Sequence, residues 1–242
     1  MVVELYLDLL SQPCRSVYIF AKKNNIPFEF KHVELLKGQH LSEEFVKVNL
    51  LRKVPALKDG AFTLAESIAI LLYLSRKFNT PDHWYPSDVQ KRARVDEYLS
   101  WQHTSIRPQG CKVYDIKAMV PLLMDKPFPP EKLEEEIKDL NFSLKQFEEK
   151  FLQDKPFIAG GEISLADLMA LEELVQPVAV GCDVFEGRSK LAEWRSRVEE
   201  AIGKELFEQA HEVVLNTKDL SAAQFSPQLK EQLIQMLQKE LK

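Results

Sequence analysis

The period of the apolar residues changes near residue 80, and this change limits the fold more than any other feature of the chain. Before it, short alternating stretches are interleaved with helical ones. Val3, Leu5 and Leu7 alternate with Glu4, Tyr6 and Asp8, the two-residue period of a strand. Ser11-Gln12-Pro13 then opens a helical run through Val17-Tyr18-Ile19-Phe20-Ala21 that ends near Asn24-Asn25, because Ser ahead of an early Pro is a helix start signal. Phe28 to Val33 alternates again. Ser42, followed by Glu43-Glu44-Phe45, predicts a short N-capped helix with acids in its first turn. Val54 to Lys58 and Phe62 to Leu64 flank Asp59-Gly60, a two-strand hairpin signal. Ile68 to Leu74 is apolar all round, which predicts a helix covered by the sheet on one side and a neighbouring domain on the other.

This order, βαβ, helix, ββα, gives a parallel pair followed by an antiparallel hairpin. It predicts an α/β domain of thioredoxin-like plan over residues 1–78. Residues 79–87 (NTPDHWYPS) hold two prolines and several turn formers and read as a linker. Residues 88–242 show helical period almost throughout and predict an all-α domain. Its helices are expected at 88–119, continuous or joined near Pro108, and at 131–151, 164–178, 189–202, 205–215 and 227–241. Ile163-Ser164-Leu165-Ala166-Asp167 reads as a capping box with a hydrophobic staple, a device for folding.

Charge follows the same division. Over 242 residues, 32 Lys+Arg face 37 Asp+Glu, a net of -5, which excludes a wholly basic nucleic-acid binder. Residues 1–80 carry +3 and the remainder -8, so anion binding is expected in the first unit. Three cysteines cannot close a disulfide framework and none pair at metal spacing, which suits a reducing compartment. The first sixteen residues lack a basic leader region, and Glu4 and Asp8 interrupt their apolar stretch. The longest apolar run falls far below the roughly 20 residues of a membrane helix. The last residues, Lys239 to Lys242, match no retention or peroxisomal tail. A cytoplasmic protein with no membrane or nucleic-acid partner is expected, and no metal.

Four places in the first unit carry chemistry. In Ser11-Gln12-Pro13-Cys14 a hydroxyl stands at the strand–helix turn and a thiol one helical turn further on. Dithiol exchange needs two sulfurs, so that chemistry is absent. Ser11 is either an ordinary N-cap or a donor to a bound anion, helped by the helix dipole. Val54-Pro55 reads as a cis bond that frees the Val54 backbone for an extended ligand, or as a trans proline opening a strand. Glu66-Ser67 either caps the next helix or binds an ammonium and a carboxylate. His40 and Lys53 are cations available to the same ligand, or solvated surface residues.

Taken together, ELYLDLL, SQPCRS, KGQH, KVPALKDG, LAESIAILLYL and ISLAD resemble a glutathione transferase, and ELYLDLLSQPCR with the long C-terminal extension points to the theta class. The likeness runs from Glu4 to about Leu215. It implies the two-domain fold of that family, a two-fold homodimer, and glutathione as co-substrate with no cofactor. It implies that Ser11 holds the glutathione thiolate, that His40 and Lys53 take the glycine end, that the Val54 backbone pairs with the cysteinyl unit beside cis Pro55, and that Glu66 and Ser67 hold the γ-glutamyl group. The electrophiles it implies are small alkyl halides, dihalomethanes, epoxides and organic hydroperoxides. The stripe His103, Thr104, Arg107, Cys111 and Tyr114 is expected to line their pocket or to pack between helices or chains, with Arg107 the cation for a leaving anion. From Pro227 onward, Leu229, Leu233, Ile234, Met236, Leu237 and Leu241 share a helix face, either a core helix or a lid with Ile234 in its roof. One departure is Asn49-Leu50, where the family usually has Asn-Pro; the loop carrying Lys53 is then expected to be less rigid. Two other readings stay open: a non-catalytic binding module of the same fold, and a reductase working through Cys14.

Overall fold

The structure is a computed structural model, and it describes residues 2–241. A four-stranded sheet has the order β2-β1-β3-β4. β1 (Val3–Leu7) pairs parallel with β2 (Phe28–His32) and antiparallel with β3 (Ala56–Asp59), and β3 pairs antiparallel with β4 (Phe62–Ala65). Val3, Leu5 and Leu7 are fully buried on one face of β1. Tyr6, on the other face, packs edge-on against Phe45 with Val33 and Ala56 in a small separate cluster. The two-residue period read from the sequence is therefore the period of burial.

α1 (Gln12–Lys23) crosses from β1 to β2 and is buried from Gln12 to Ala21, because sheet and helical domain cover it from two sides. α2 (Glu43–Val46) is one turn, capped by the Ser42 hydroxyl, which accepts from the Phe45 N–H. α3 (Ser67–Lys77) follows β4. Asp59 at the hairpin accepts from Tyr73 and Lys77 and so binds the hairpin to α3. The expectation that α3 is buried all round does not hold: Ile70, Leu71 and Leu74 face the sheet, whereas Ile68, Leu72 and Tyr73 stay half-buried, because the helical domain covers α1 instead. Residues 79–87 are not a bare tether. Trp84 is buried edge-on against Phe20 at 5.4 Å, and the His83 Nδ1 lies 2.6 Å from the Ile163 carbonyl.

Seven of the remaining helices follow as α4 (Val89–Gln102), α5 (Ile106–Tyr114), α6 (Val120–Met124), α7 (Pro130–Gln146), α8 (Leu165–Ala179), α9 (Ser189–Ile202) and α10 (Lys204–Leu215), and α11 (Pro227–Glu240) closes the described chain. The stretch expected as 88–119 breaks at 103–105, ahead of Pro108, which sits in the first turn of α5 where a missing N–H is harmless. π-helical segments Asp115–Met119 and Phe147–Leu152 follow α5 and α7. α8 is the axle of the domain, buried from Leu165 to Pro177 between α1, α4, α5, α9 and α10. Its start is fixed by Asp167, fully buried. One carboxylate oxygen accepts from the Ser164 N–H at 3.0 Å and hydroxyl at 2.8 Å, and the other from the Ile158 N–H at 2.8 Å and the Trp194 indole at 2.9 Å.

The chain from 216 to 226 returns to the first domain. The Ser226 N–H donates to the Leu36 carbonyl at 2.9 Å, and Gly38, at φ 72, lies beneath Ser226 and Leu229. On α11, Leu229 and Leu237 are buried and Leu233 and Ile234 half-buried. Met236 is exposed, a correction to the single apolar face read from the sequence. Among the described residues no helix is long and apolar enough to cross a membrane.

Candidate functional site

The C-terminal end of β1 and the adjoining ends of β3 and β4 bring the predicted groups to one edge of the sheet. Ser11 caps α1 in position only: its backbone is extended, and its hydroxyl accepts no hydrogen bond from the helix. The Ser11 carbonyl accepts from the Arg15 N–H at 3.1 Å, the first bond of the helix. The side chain therefore stands at the positive end of α1 without the task that usually occupies a capping serine.

Cys14 lies one turn further and is fully buried. Burial pushes its thiol up to about 12, against hydrogen bonds from the Asp8 backbone and the Ser11 side chain that pull it down. A thiol so disposed carries almost no thiolate at neutral pH, which weighs against the reductase reading.

Asp8 was not singled out from the sequence, and it joins two loops of this edge. One of its oxygens accepts from the Leu10 N–H at 3.0 Å, on the approach to Ser11. The other accepts from the Leu35 N–H at 2.9 Å, at the base of the loop that leads to His40. His40 is half-buried. Its Nδ1 is buried without a partner, and desolvation holds its pKa below the usual imidazole value, with Asp8 opposing. This nitrogen is a buried polar group with hydrogen-bonding capacity not met within the protein.

The peptide before Pro55 is cis. The ladder between β1 and β3 begins at Ala56, so Val54 lies outside it, and Lys53 is exposed. The loop that presents them is fixed in spite of Leu50, which is 79% exposed and contributes nothing to its packing. Asn49, 6% exposed, performs the fixing: its amide donates to the Lys53 carbonyl at 2.7 Å and its oxygen accepts from the Leu51 N–H at 3.0 Å. The expected loss of rigidity at this loop is thus offset by a side chain one residue earlier.

Ala56 pairs with Ala65, which places Glu66 and Ser67 beside the Val54–Pro55 turn. Glu66 is exposed, holds φ 69 in the left-handed region and makes no side-chain cap bond to α3, and Ser67 begins the helix and is buried. Lys53 and His40 on two loops, an acid and a helix N-terminus on a third, and the Ser11 hydroxyl at the start of α1 thus lie toward one end of the sheet, an arrangement suited to a small polar ligand with charges of both signs.

The second domain borders this edge through α5. The stripe read as continuous is split by the break at 103–105. His103 and Thr104 are exposed in the turn, and the Thr104 hydroxyl donates to the Trp101 carbonyl. Burial and Arg107 lower the His103 pKa, and Glu66 opposes them, which places the turn beside the first domain's acid. Arg107 is not a free cation: its Nη1 lies 2.9 Å from Glu173 Oε1. Glu173 is 1% exposed, and burial pushes its carboxyl up to about 7 against the pull of Arg107 and Arg15. The Cys111 sulfur accepts from the Gln12 amide at 3.2 Å, and the Tyr114 hydroxyl pairs with Thr217 at 3.1 Å, which closes the inner end of α5. Ile234 stands half-buried on α11.

Comparison with known proteins identifies the family. Residues 2–76 match the family model described as the glutathione S-transferase N-terminal domain, and residues 114–201 match the model for its C-terminal domain. The chain is 62% identical over 261 aligned residues to glutathione S-transferase theta-1 of Gallus gallus, with 100% of each sequence covered. It superposes on the apo form of human glutathione S-transferase T1-1 with a TM-score of 0.93, at 56% identity, over 99% of this chain and 100% of that one. It superposes equally, at a TM-score of 0.93 and 49% identity over 99% of both chains, on a human theta-class glutathione transferase in complex with the glutathione conjugate of 1-menaphthyl sulfate. With the thioredoxin-like sheet domain, the all-helical second domain and this identity along the whole length, the chain belongs to the theta class of the glutathione S-transferase family of enzymes.

Proposed function

We propose that this enzyme joins the glutathione thiolate to small electrophiles, namely alkyl halides, dihalomethanes and epoxides, and reduces organic hydroperoxides with the same thiolate. The observation that carries the reading is the Ser11 hydroxyl, placed at the N-terminus of α1 and not used to cap it. A free thiol titrates near 8.5, so only a few per cent is ionised at neutral pH. Lowering it by about two units requires roughly 2.7 kcal/mol, within reach of one charge-assisted hydrogen bond and a helix dipole. Ser11 acts as a donor to the sulfur; it takes no part as a nucleophile.

In this reading the tripeptide lies along the sheet edge. Its γ-glutamyl end meets Glu66 and Ser67, its cysteinyl backbone pairs with Val54 beside Pro55, and its glycine carboxylate meets Lys53 and the unpartnered nitrogen of His40. Glutathione is a co-substrate here and no cofactor takes part. Arg107 and Ile234 border the space for the electrophile, and Thr104 faces a partner chain. The enzyme acts as a two-fold homodimer in the cytoplasm. The half-buried Ile68, Leu72 and Tyr73 on α3 and the opposite charges of the two domains support the dimer, and three free thiols support the compartment.

The deciding experiment measures glutathione-dependent halide release from a panel of small haloalkanes, beside hydroperoxide reduction. Saturable halide release that disappears without glutathione is the expected result. Turnover confined to bulky aromatic electrophiles, with no halide released from the panel, would refute the substrate class.

A further inference from the structure

Behind the turn that presents Ser11 lies a buried cationic side chain to which the proposed reaction assigns no part. Arg15 is on α1, one turn beyond Ser11, and is 0% exposed. Its Nη1 donates to the Leu9 and Leu10 carbonyls, each at 3.0 Å, the two peptides immediately ahead of Ser11. Its Nε donates to Glu172 Oε2 at 2.7 Å, and its Nη2 to the Glu172 carbonyl at 3.3 Å and to Gln176 Oε1 at 3.1 Å. Glu172 and Gln176 belong to α8, in the other domain. The guanidinium thus grips the catalytic turn at one end and the axle of the helical domain at the other.

The acceptor on α8 is itself held from a third element. Glu172 Oε2 also lies 2.9 Å from His211 Nε2 on α10, and the other ring nitrogen, Nδ1, lies 2.7 Å from the Phe207 carbonyl. The ring thus bridges the Phe207 carbonyl and Glu172. Burial opposes the Glu172 charge, but His211 and Arg15 outweigh it and hold the carboxyl below the usual range. The chain of contacts therefore runs from α10 through Glu172 and Arg15 to the peptides that aim Ser11. Asp8 holds the same turn from the opposite side through the Leu10 N–H. A contact that served only to join the domains would have no need of the Leu9 and Leu10 carbonyls.

We infer that Arg15 is a positioning residue for the thiolate step, clamping the Leu9–Ser11 turn to Glu172 and Gln176 of α8 so that the packing of the two domains sets the aim of the Ser11 hydroxyl. The inference rests on the assignment of Ser11 made above. Five bonds from a single side chain require the guanidinium fork; a lysine in its place keeps the charge and loses the geometry.

The test compares wild type, Arg15→Lys, Ser11→Ala and the double variant, in the full-length enzyme, by the ultraviolet titration of bound glutathione thiolate and by kcat and KM. Arg15→Lys should raise the titration midpoint of the bound thiol and lower kcat by about tenfold to a hundredfold, with KM for glutathione changed far less, since a displacement near 1 Å is enough for such a loss. The double variant should match Ser11→Ala alone, because a residue that acts through Ser11 has nothing left to position. If Arg15→Lys does not fold, Gln176→Leu removes one anchor only and should move the same readouts in the same direction. A lower melting temperature with an unmoved titration, or additive losses in the double variant, would overturn the inference while leaving Ser11 in place. A Ser11→Ala enzyme that titrates like wild type would instead remove the assignment of Ser11 on which it rests.

Discussion

Replacing Glu173 by glutamine removes a titrating group from the core while keeping its shape. The carboxyl is 1% exposed, and burial pushes it from 4.5 up to about 7, with Arg107 and Arg15 pulling the other way. A folded-state pKa above the unfolded value favours the folded protein at low pH. The contribution is complete below the unfolded value near 4.5 and is lost as the pH rises through about 7. Full ionisation of this group costs about 3 kcal/mol at 1.36 kcal/mol per unit. Between about pH 5 and about pH 8, wild type should lose roughly 2.5 kcal/mol through Glu173 alone. Glutamine brings costs of its own, since its amide finds no acceptor where Oε2 is unpartnered and its bond to Arg107 is weaker. Those costs do not depend on pH and cancel when the same pair of proteins is compared at two pH values. The assay is equilibrium urea unfolding of wild type and Glu173→Gln at both. The stability difference should shift toward the variant by about 2.5 kcal/mol on going from the acidic to the alkaline buffer. Parallel curves, with an unchanged difference, would refute the reasoning and mean that Arg107 and Arg15 keep the carboxyl charged throughout.

Three further outcomes follow from other contacts. Asp167→Asn turns an amide toward donors that now meet four lone pairs, and should destabilise the fold by roughly 2–4 kcal/mol, read by urea unfolding, with the effect on kcat small in the fraction that remains folded. Cys14→Ser should lower stability by about 1–2 kcal/mol by burying a hydroxyl and should leave turnover within about twofold; a folded but inactive variant would restore a reaction at the sulfur. Gly38→Val adds a branched side chain at φ 72, with its Cβ 3.1 Å from the Ser226 hydroxyl oxygen, and should raise KM for glutathione through the His40 loop by about tenfold while kcat at saturation holds; unchanged KM would uncouple the loop from α11.

How far the sequence revealed this depended on whether a residue's neighbours in the chain were also its neighbours in space. β1, the hairpin at Asp59-Gly60 and the Ser42 cap are local devices, and each stands where its pattern placed it. The break at 103–105 was hidden because apolar residues continue at helical spacing on both sides of it, and a turn there costs no periodicity. Arg15 was hidden for the opposite reason. A charged residue on a helix reads as its wet face, and only the arrival of α8, more than 150 residues later, provides the carboxylate that allows its burial. Glu172 and Glu173 escaped on the same ground, as adjacent acids on a helix that the tertiary structure buries on every side. The groups expected to touch glutathione were named through their likeness to a family; the spacing of His40, Lys53 and Glu66 by itself favours no ligand over solvent. Asp8, which ties two of their loops together, closes a strand pattern and gives no sign of the bond it makes to Leu35.

The bond between Ser226 and Leu36 bears on how such an enzyme can be altered. The two domains invite treatment as exchangeable modules, one for the thiol and one for its target. Yet the segment entering α11 is fastened to the loop that carries His40, with Gly38 as the seat. On the binding mode proposed above, a graft that replaces α11 to admit a new electrophile should also disturb how the tripeptide is gripped, unless residues 34–41 travel with it. If the two contacts act as proposed, directed evolution of this scaffold should recover paired changes at the two places sooner than single ones at either.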